Sequence, residues 1–378
     1  MVQGTAASTQ FRPLRVLVKG GILFAILVFA FPSWGGALTS LSSYNRIVGG
    51  RLRLPYGGDN PDAVYSSSMT DIGVMLRSHV VARDKSAGEY RVIVLGDSSV
   101  WGYSVPLENT LPILLDKADL QTCDGLQMRV YNLGYPKGSV TKDLLILDET
   151  MQYEPDLIVW AVTLAAMTPE RRLGHPLVHG NMGRLLKIQT EYGLDLVIPE
   201  TSATARSNTF FGQRVGLKEF IRYELLGLMW NATGIDGALP DLAAVQRPEL
   251  PDNMVYAGIH PPVLDRNALS FDVIGVGIHM AGRTPVLLVN EPIYIQTDGA
   301  QTDIRYNFSY PRWIYDEYRR RLAAQAEQNN WKSLDIWDAL PATEFTPDAD
   351  LHPTPEGEAR LAEMLTPFLL QTACGGGR

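Results

Sequence analysis

The chain has 378 residues, of which 46% are hydrophobic and 20% charged, so it can bury a large core and is too apolar to be disordered as a whole. Its net charge of −8 excludes a broadly basic nucleic-acid-binding surface, and no nucleic acid is expected as a partner. The two cysteines, Cys123 and Cys374, form neither a metal-binding spacing nor a Cys-x-x-C pair, and no cofactor or metal is expected. They fit one disulfide in an oxidising compartment or two buried thiols, and they are expected within bridging distance of each other.

Arg12, Arg15 and Lys19 precede a charge-free stretch from Gly20 to Asn45 whose apolar heart runs from Gly21 to Phe31. With Leu14, Val16, Leu17 and Val18 this is long enough for a membrane-spanning helix over residues 14–35. No acidic residue occurs before Asp59, so residues 1–13 read as cytoplasmic and the body as extracytoplasmic. The competing reading is a cleaved signal peptide, for which Gly35-Gly36-Ala37 is a weak candidate site. Residues 36–88, rich in Ser, Gly, Arg and Tyr, read as a linker that becomes ordered on the main domain.

From residue 89 onward the pattern is strand and helix in alternation. Strands are predicted over Arg91–Leu95, Met128–Leu133, Asp156–Val162, Leu194–Ile198, Thr284–Asn290 and Lys332–Trp337. Helices are predicted over Thr110–Leu120, Val140–Met151, Asn181–Tyr192, Tyr315–Asn329 and Glu356–Leu370. Strands separated by helices demand parallel connections, hence a doubly wound α/β domain over 89–378. The alternation lapses between about 200 and 282, where Leu217, Ile221, Leu225 and Leu228 share one helical face. This stretch reads as a largely helical insertion.

Two segments carry chemistry. Arg91-Val92-Ile93-Val94-Leu95-Gly96-Asp97-Ser98 is an apolar strand that stops at Gly-Asp-Ser, which puts a small hydroxyl at the carboxyl edge of a sheet. Far downstream, Asp348-Ala349-Asp350-Leu351-His352-Pro353 brings two carboxylates and an imidazole together. A serine hydroxyl needs a base, and the base needs an orienting acid. The two segments together resemble the SGNH/GDSL hydrolase superfamily. The resemblance implies a three-layer α/β/α sandwich around a parallel, flavodoxin-like sheet. It also implies a catalytic unit of Ser98 as nucleophile, His352 as base and one of Asp348 and Asp350 as orienting acid. Members usually carry Asp three residues before the His, a place held here by Ala349; Asp348 is preferred because Asp350 points away if the segment is extended.

The family's oxyanion donors are the nucleophile's own N–H, a glycine after the second strand and an asparagine after the third. Asn132-Leu133-Gly134-Tyr135-Pro136-Lys137-Gly138 resembles the glycine-bearing block with one extra residue, which offers Gly138 first and Gly134 second. The third block falls on Thr163-Leu164-Ala165-Ala166 and contains no asparagine; Thr163 is its one hydroxyl. The first functional reading is therefore a membrane-anchored extracytoplasmic serine esterase acting on an ester, including an acylated carbohydrate. The second is an O-acyltransferase that passes the same acyl group to a cell-wall polymer or exopolysaccharide beside a membrane protein partner. The third is an inactive relative that binds a carbohydrate or a protein.

Overall fold

The computed structural model describes residues 13–39, 44–47, 49–56, 70–198, 217–218, 220–222, 224, 227–233, 242, 245–265 and 267–375. Five strands, β1 (Glu89–Leu95), β2 (Gln127–Asn132), β3 (Leu157–Val162), β4 (Val286–Asn290) and β5 (Lys332–Asp335), form one parallel sheet in the order β2-β1-β3-β4-β5. This is the flavodoxin-like order, and its switch point lies where β1 sits between β2 and β3. The central strands are buried along their length, as their continuous apolar runs require when both faces are covered.

Alternate residues of those strands feed two separate cores. Ile93, Leu95, Ile158, Trp160 and Leu288 face one side. There they meet α2 (Ile72–Ser78), α5 (Val140–Thr150), α10 (Phe271–Ala281) and α11 (Arg312–Asn329). Val92, Val94, Leu157, Val159 and Leu287 face the other, against α4 (Leu111–Lys117) and α12 (Pro355–Gly375). The result is the three-layer sandwich. The remaining helices are α1 (Pro13–Thr39), α3 (Ser98–Trp101), α6 (Pro169–Leu173), α7 (Pro176–Gly180), α8 (Met182–Tyr192) and α9 (Leu228–Thr233).

Helix α1 contains a stretch, Pro13–Ala30, long and apolar enough to cross a membrane or to serve as a signal sequence. Among its described side chains, which run to Ala30, most of the apolar ones are exposed: Leu14 at 73%, Leu17 at 72% and Phe29 at 64%. At the other end of the chain, Cys374 near the end of α12 is bridged to Cys123, with Cα atoms 5.3 Å apart.

One predicted element is absent. Among the described residues Leu194–Ile198 pairs with no strand; β4 occupies the place beside β3. Its backbone groups turn inward on themselves, with Leu196 N–H donating to Leu194 O and Ile198 N–H to Leu196 O. The side chains of Gln189 and Arg172 satisfy the carbonyls of Leu196 and Asp195. Leu194 and Leu196 are buried, so the apolar spacing reflects packing rather than a ladder. Much of the expected insertion at 200–282 lies outside the described residues, including Leu225. Within it, α9 and α10 are helical, and residues 245–265 are irregular.

Candidate active site

Strand β1 ends at Leu95, and the chain turns through Gly96 and Asp97 into the single turn α3. Asp97 caps that turn: its Oδ1 accepts from Ser99 N–H at 2.9 Å. Ser98, the first helical residue, is left half-buried at the carboxyl edge of the sheet. Below the turn, the wholly buried Lys142 of α5 donates to Gly96 O at 2.8 Å and to Tyr135 O at 2.6 Å. One ammonium thus ties the ends of β1 and β2 together. Its charge is met by Asp143 at 2.8 Å. Burial pushes the Asp143 carboxyl up to about 6 despite the opposing pull of Lys142.

The late segment returns to this turn. Phe345 bridges to Pro353, and Thr346 N–H donates to His352 O at 2.8 Å, so residues 346–352 form a closed loop. His352, 8% exposed, presents Nε2 to Ser98 Oγ at 2.9 Å and Nδ1 to Asp348 Oδ2 at 2.8 Å. Asp348 Oδ1 accepts from Thr346 Oγ1 at 2.5 Å, and Ser104 Oγ donates to Oδ2 at 2.7 Å. Burial works to raise the Asp348 carboxyl. The hydrogen bond and charge of His352, with the Thr346 and Ser104 hydroxyls, outweigh it and hold the group well below the usual carboxylate range.

Asp350, two residues on, does not meet the ring. Its Oδ2 accepts from Ser309 N–H at 3.0 Å and its carbonyl accepts from Tyr294 N–H at 2.8 Å. Its Oδ1 lies 3.4 Å from Arg247. That arginine also donates to Thr346 O at 2.5 Å and Ala349 O at 3.1 Å, and it lies 3.5 Å over the Tyr294 ring. Asp350 and Arg247 brace the loop that carries Asp348.

The two glycines part company. A Cβ at Gly134 would lie 2.6 Å from Trp101 N and 2.8 Å from Val100 Cβ, so only glycine lets the end of β2 pass so close beneath α3. Its N–H donates to Asn132 Oδ1 at 3.1 Å and is therefore committed. Gly138 sits beside the Ser98 turn, where a Cβ would be 3.1 Å from Asp97 Oδ2 and 3.2 Å from Ala166 Cβ. Thr163 is fully buried, and its hydroxyl lies 3.2 Å from Tyr310 Oη. That turn offers no side-chain donor to the serine.

Three features of the site carry no signal in the sequence motifs: the Ser104 and Thr346 hydroxyls, the Lys142 tie, and Glu291 after β4. Glu291 is buried and takes a short hydrogen bond from Ser99 Oγ. Burial, then the charge of Asp97, pushes its carboxyl well above the usual carboxylate range. With Glu358, Val94 and Leu365 it lines a small cavity of about 30 Å³ whose lining includes neither Ser98 nor His352. Among the described residues there is no cluster of three or more potential metal ligands.

No family model matches the sequence, and no curated protein matches it. The chain is similar to several solved structures. A carbohydrate acetylesterase family member from Sinorhizobium meliloti shares 15% identity over 75% of this chain and 99% of that one, with a TM-score of 0.35. A lipase/acylhydrolase from Enterococcus faecalis shares 15% over 75% and 96%, with a TM-score of 0.37. Axe2, an acetylxylan esterase from Geobacillus stearothermophilus, shares 12% over 73% and 93%, with a TM-score of 0.34.

Proposed function

We propose that this chain is a serine acyl-ester hydrolase of the SGNH/GDSL type. The observation that carries the reading is the continuous hydrogen-bond line from Ser98 Oγ to His352 Nε2 and from His352 Nδ1 to Asp348 Oδ2. Ser98 Oγ attacks the ester carbonyl carbon while His352 Nε2 takes the hydroxyl proton. The tetrahedral intermediate collapses, the alcohol leaves with that proton, and an acyl-Ser98 remains. Water, deprotonated by the same nitrogen, then attacks the acyl carbonyl; the second intermediate collapses, the acyl–Oγ bond breaks, the acid leaves, and His352 Nε2 returns the proton to Ser98 Oγ. Asp348 holds the ring in the tautomer with the proton on Nδ1 and balances the imidazolium that forms.

The backbone N–H groups of Ser98 and Gly138 are the oxyanion donors in this reading. With no asparagine in the third turn, one donor is missing, a loss on the order of a hundred- to a thousand-fold in rate where such donors have been removed. A slow esterase is the expectation. Helix α1 supports a membrane-anchored protein, and the Cys123–Cys374 bridge supports an oxidising, extracytoplasmic side for the main domain. An ester of a carbohydrate fits this location, and a carbohydrate hydroxyl in place of water would make the same acyl-enzyme an O-acyltransferase.

A fluorophosphonate probe tests the chemistry. The wild-type protein is expected to label at Ser98, and Ser98→Ala and His352→Ala to lose both labelling and hydrolysis of a nitrophenyl ester by about a thousand-fold or more. Wild-type protein that neither labels nor exceeds the background rate of Ser98→Ala overturns the enzyme reading.

A further inference from the structure

The turn that presents the nucleophile does not stop at Ser98. Gly102 N–H donates to Ser98 O and Ser99 O, both at 3.1 Å, and Tyr103 N–H donates to Ser98 O at 3.0 Å. These bonds fold the chain back on itself, and Ser104 returns to the histidine from the other side. Its Oγ lies 2.8 Å from His352 Nδ1 and 2.7 Å from Asp348 Oδ2, while Ser98 Oγ lies 2.9 Å from His352 Nε2. Both ring nitrogens are thus gripped by hydroxyls from one short run of chain. The Tyr103 ring, 5.6 Å from the imidazole centroid, lies against it.

The protons can be placed. For Nε2 to accept from Ser98, the ring proton must sit on Nδ1, a tautomer assigned from the bonding. That N–H points between Asp348 Oδ2 and Ser104 Oγ, and the Ser104 O–H is donated to Asp348 Oδ2. Each hydrogen has an acceptor and each oxygen is used. Asp348 and His352 lie four residues apart in an irregular loop, so no helix fixes their mutual orientation. Thr346 and Ser104 hold the carboxylate at its two oxygens instead.

We propose that Ser104 is a positioning residue of this centre: it locks Asp348 and His352 in one orientation and shares the Nδ1 proton as the ring becomes charged. The proposal rests on the serine-hydrolase reading for its catalytic effect. A hydrogen bond to a charged group of this kind corresponds to a ten- to hundred-fold effect, to order of magnitude.

The test is a mutant cycle in the full chain. Ser104→Ala is expected to lower kcat on a nitrophenyl ester, and the fluorophosphonate labelling rate, by about ten-fold or more, with KM within about two-fold. Ser104→Thr, which keeps the hydroxyl, is expected to recover most of that loss. In an Asp348→Asn background the further change Ser104→Ala is expected to cost less than about two-fold, because its partner is already altered. An unchanged rate in Ser104→Ala, or the same loss in both backgrounds, overturns the proposal. A second readout needs no turnover: the low-field proton resonance of His352 Nδ1–H, identified by its absence in His352→Ala. It is expected to move in Ser104→Ala, and an unmoved resonance overturns the proposal. A wild type that shows the resonance but no labelling refutes the hydrolase reading separately.

Discussion

The turn after β1 and the turn after β3 lie side by side at the same edge of the sheet, since Leu95 pairs with Trp160 in register, yet they present opposite chemistry. After β1 the polar groups divide in two. Asp97, Ser99, Lys142 and Glu291 are spent on the backbone and on one another, and this leaves the Ser98 hydroxyl aimed at His352. After β3 the polar groups all turn inward. The Thr163 hydroxyl meets Tyr310, and Thr163 O accepts from Ala166 N–H at 3.1 Å. Met167 O accepts from Ser270 N–H at 3.0 Å, which staples the turn to the start of α10. The carboxyl edge of a parallel sheet is a place where chemistry can be built, but position alone does not build it. A turn becomes reactive when its structural hydrogen bonds are met by other groups and one side chain is left over.

That contrast can be broken most directly at the carboxylates of the histidine loop. Asp348→Asn is expected to cut kcat by about 10²–10⁴. Asp350→Asn is expected to stay within about ten-fold while lowering the thermal midpoint, since its bonds to Ser309 and Arg247 brace the loop. A larger kinetic loss at Asp350 reverses the assignment. Asp348 also has a pH signature. Its folded value is depressed, so its stabilising contribution is full above the usual carboxylate range and disappears as pH falls. Asp348→Asn is expected to flatten the acid limb of the stability profile, measured by denaturant unfolding.

Lys142 tests how the first turn is held. Lys142→Met removes the tie between Gly96 and Tyr135 and strands Asp143, at a cost of about 3–5 kcal/mol. The sign of its pH dependence follows from Asp143, whose folded value of about 6 lies above its ordinary 3.8. The stability it contributes is full below the lower value and is lost as pH rises through the upper one. Removing the cation raises that carboxyl further, so the deficit in Lys142→Met is expected to be larger at pH 8 than at pH 5. An equal deficit at both values, by thermal unfolding, removes the ammonium from this account.

The smallest effect is expected in the third turn. Thr163→Val deletes the bond to Tyr310 and costs about 1 kcal/mol, with esterase activity within two-fold of wild type. A loss beyond ten-fold with unchanged stability restores Thr163 to the reacting centre.

Much of the architecture was legible because it rests on local pattern. Apolar runs such as Val92–Leu95 and Leu157–Val162, set between helical stretches, leave little choice but a parallel sheet. Ser98, His352 and a choice between Asp348 and Asp350 were nameable from residue type and the family resemblance; Ser98, His352 and Asp348 lie together in space. Leu194–Ile198 misled because burial on a surface and burial in a ladder leave the same apolar trace. Ser104, Lys142 and Arg247 were not legible at all. Each acts through a partner set by the tertiary fold, Ser104 with His352 across 248 positions and Arg247 with Ala349 across 102. A lone serine, lysine or arginine in sequence gives no sign of such a partner.

The segment between α1 and the sheet sets a length scale. Arg53 donates to Gly102 O at 3.2 Å and stacks 3.7 Å over Trp101, whose ring N–H is in turn donated to Leu54 O at 2.7 Å. The lead-in is thus a fixed part of the Ser98 turn, while α1 ends only at Thr39. A fully extended chain spans at most about 3.6 Å per residue, so Arg53 lies no farther than roughly 50 Å from the end of that helix. With α1 in a bilayer, the chain acts as a leash. On the hydrolase reading proposed above, that leash keeps Ser98 near the membrane surface, and the expected substrate is an ester that comes within its reach.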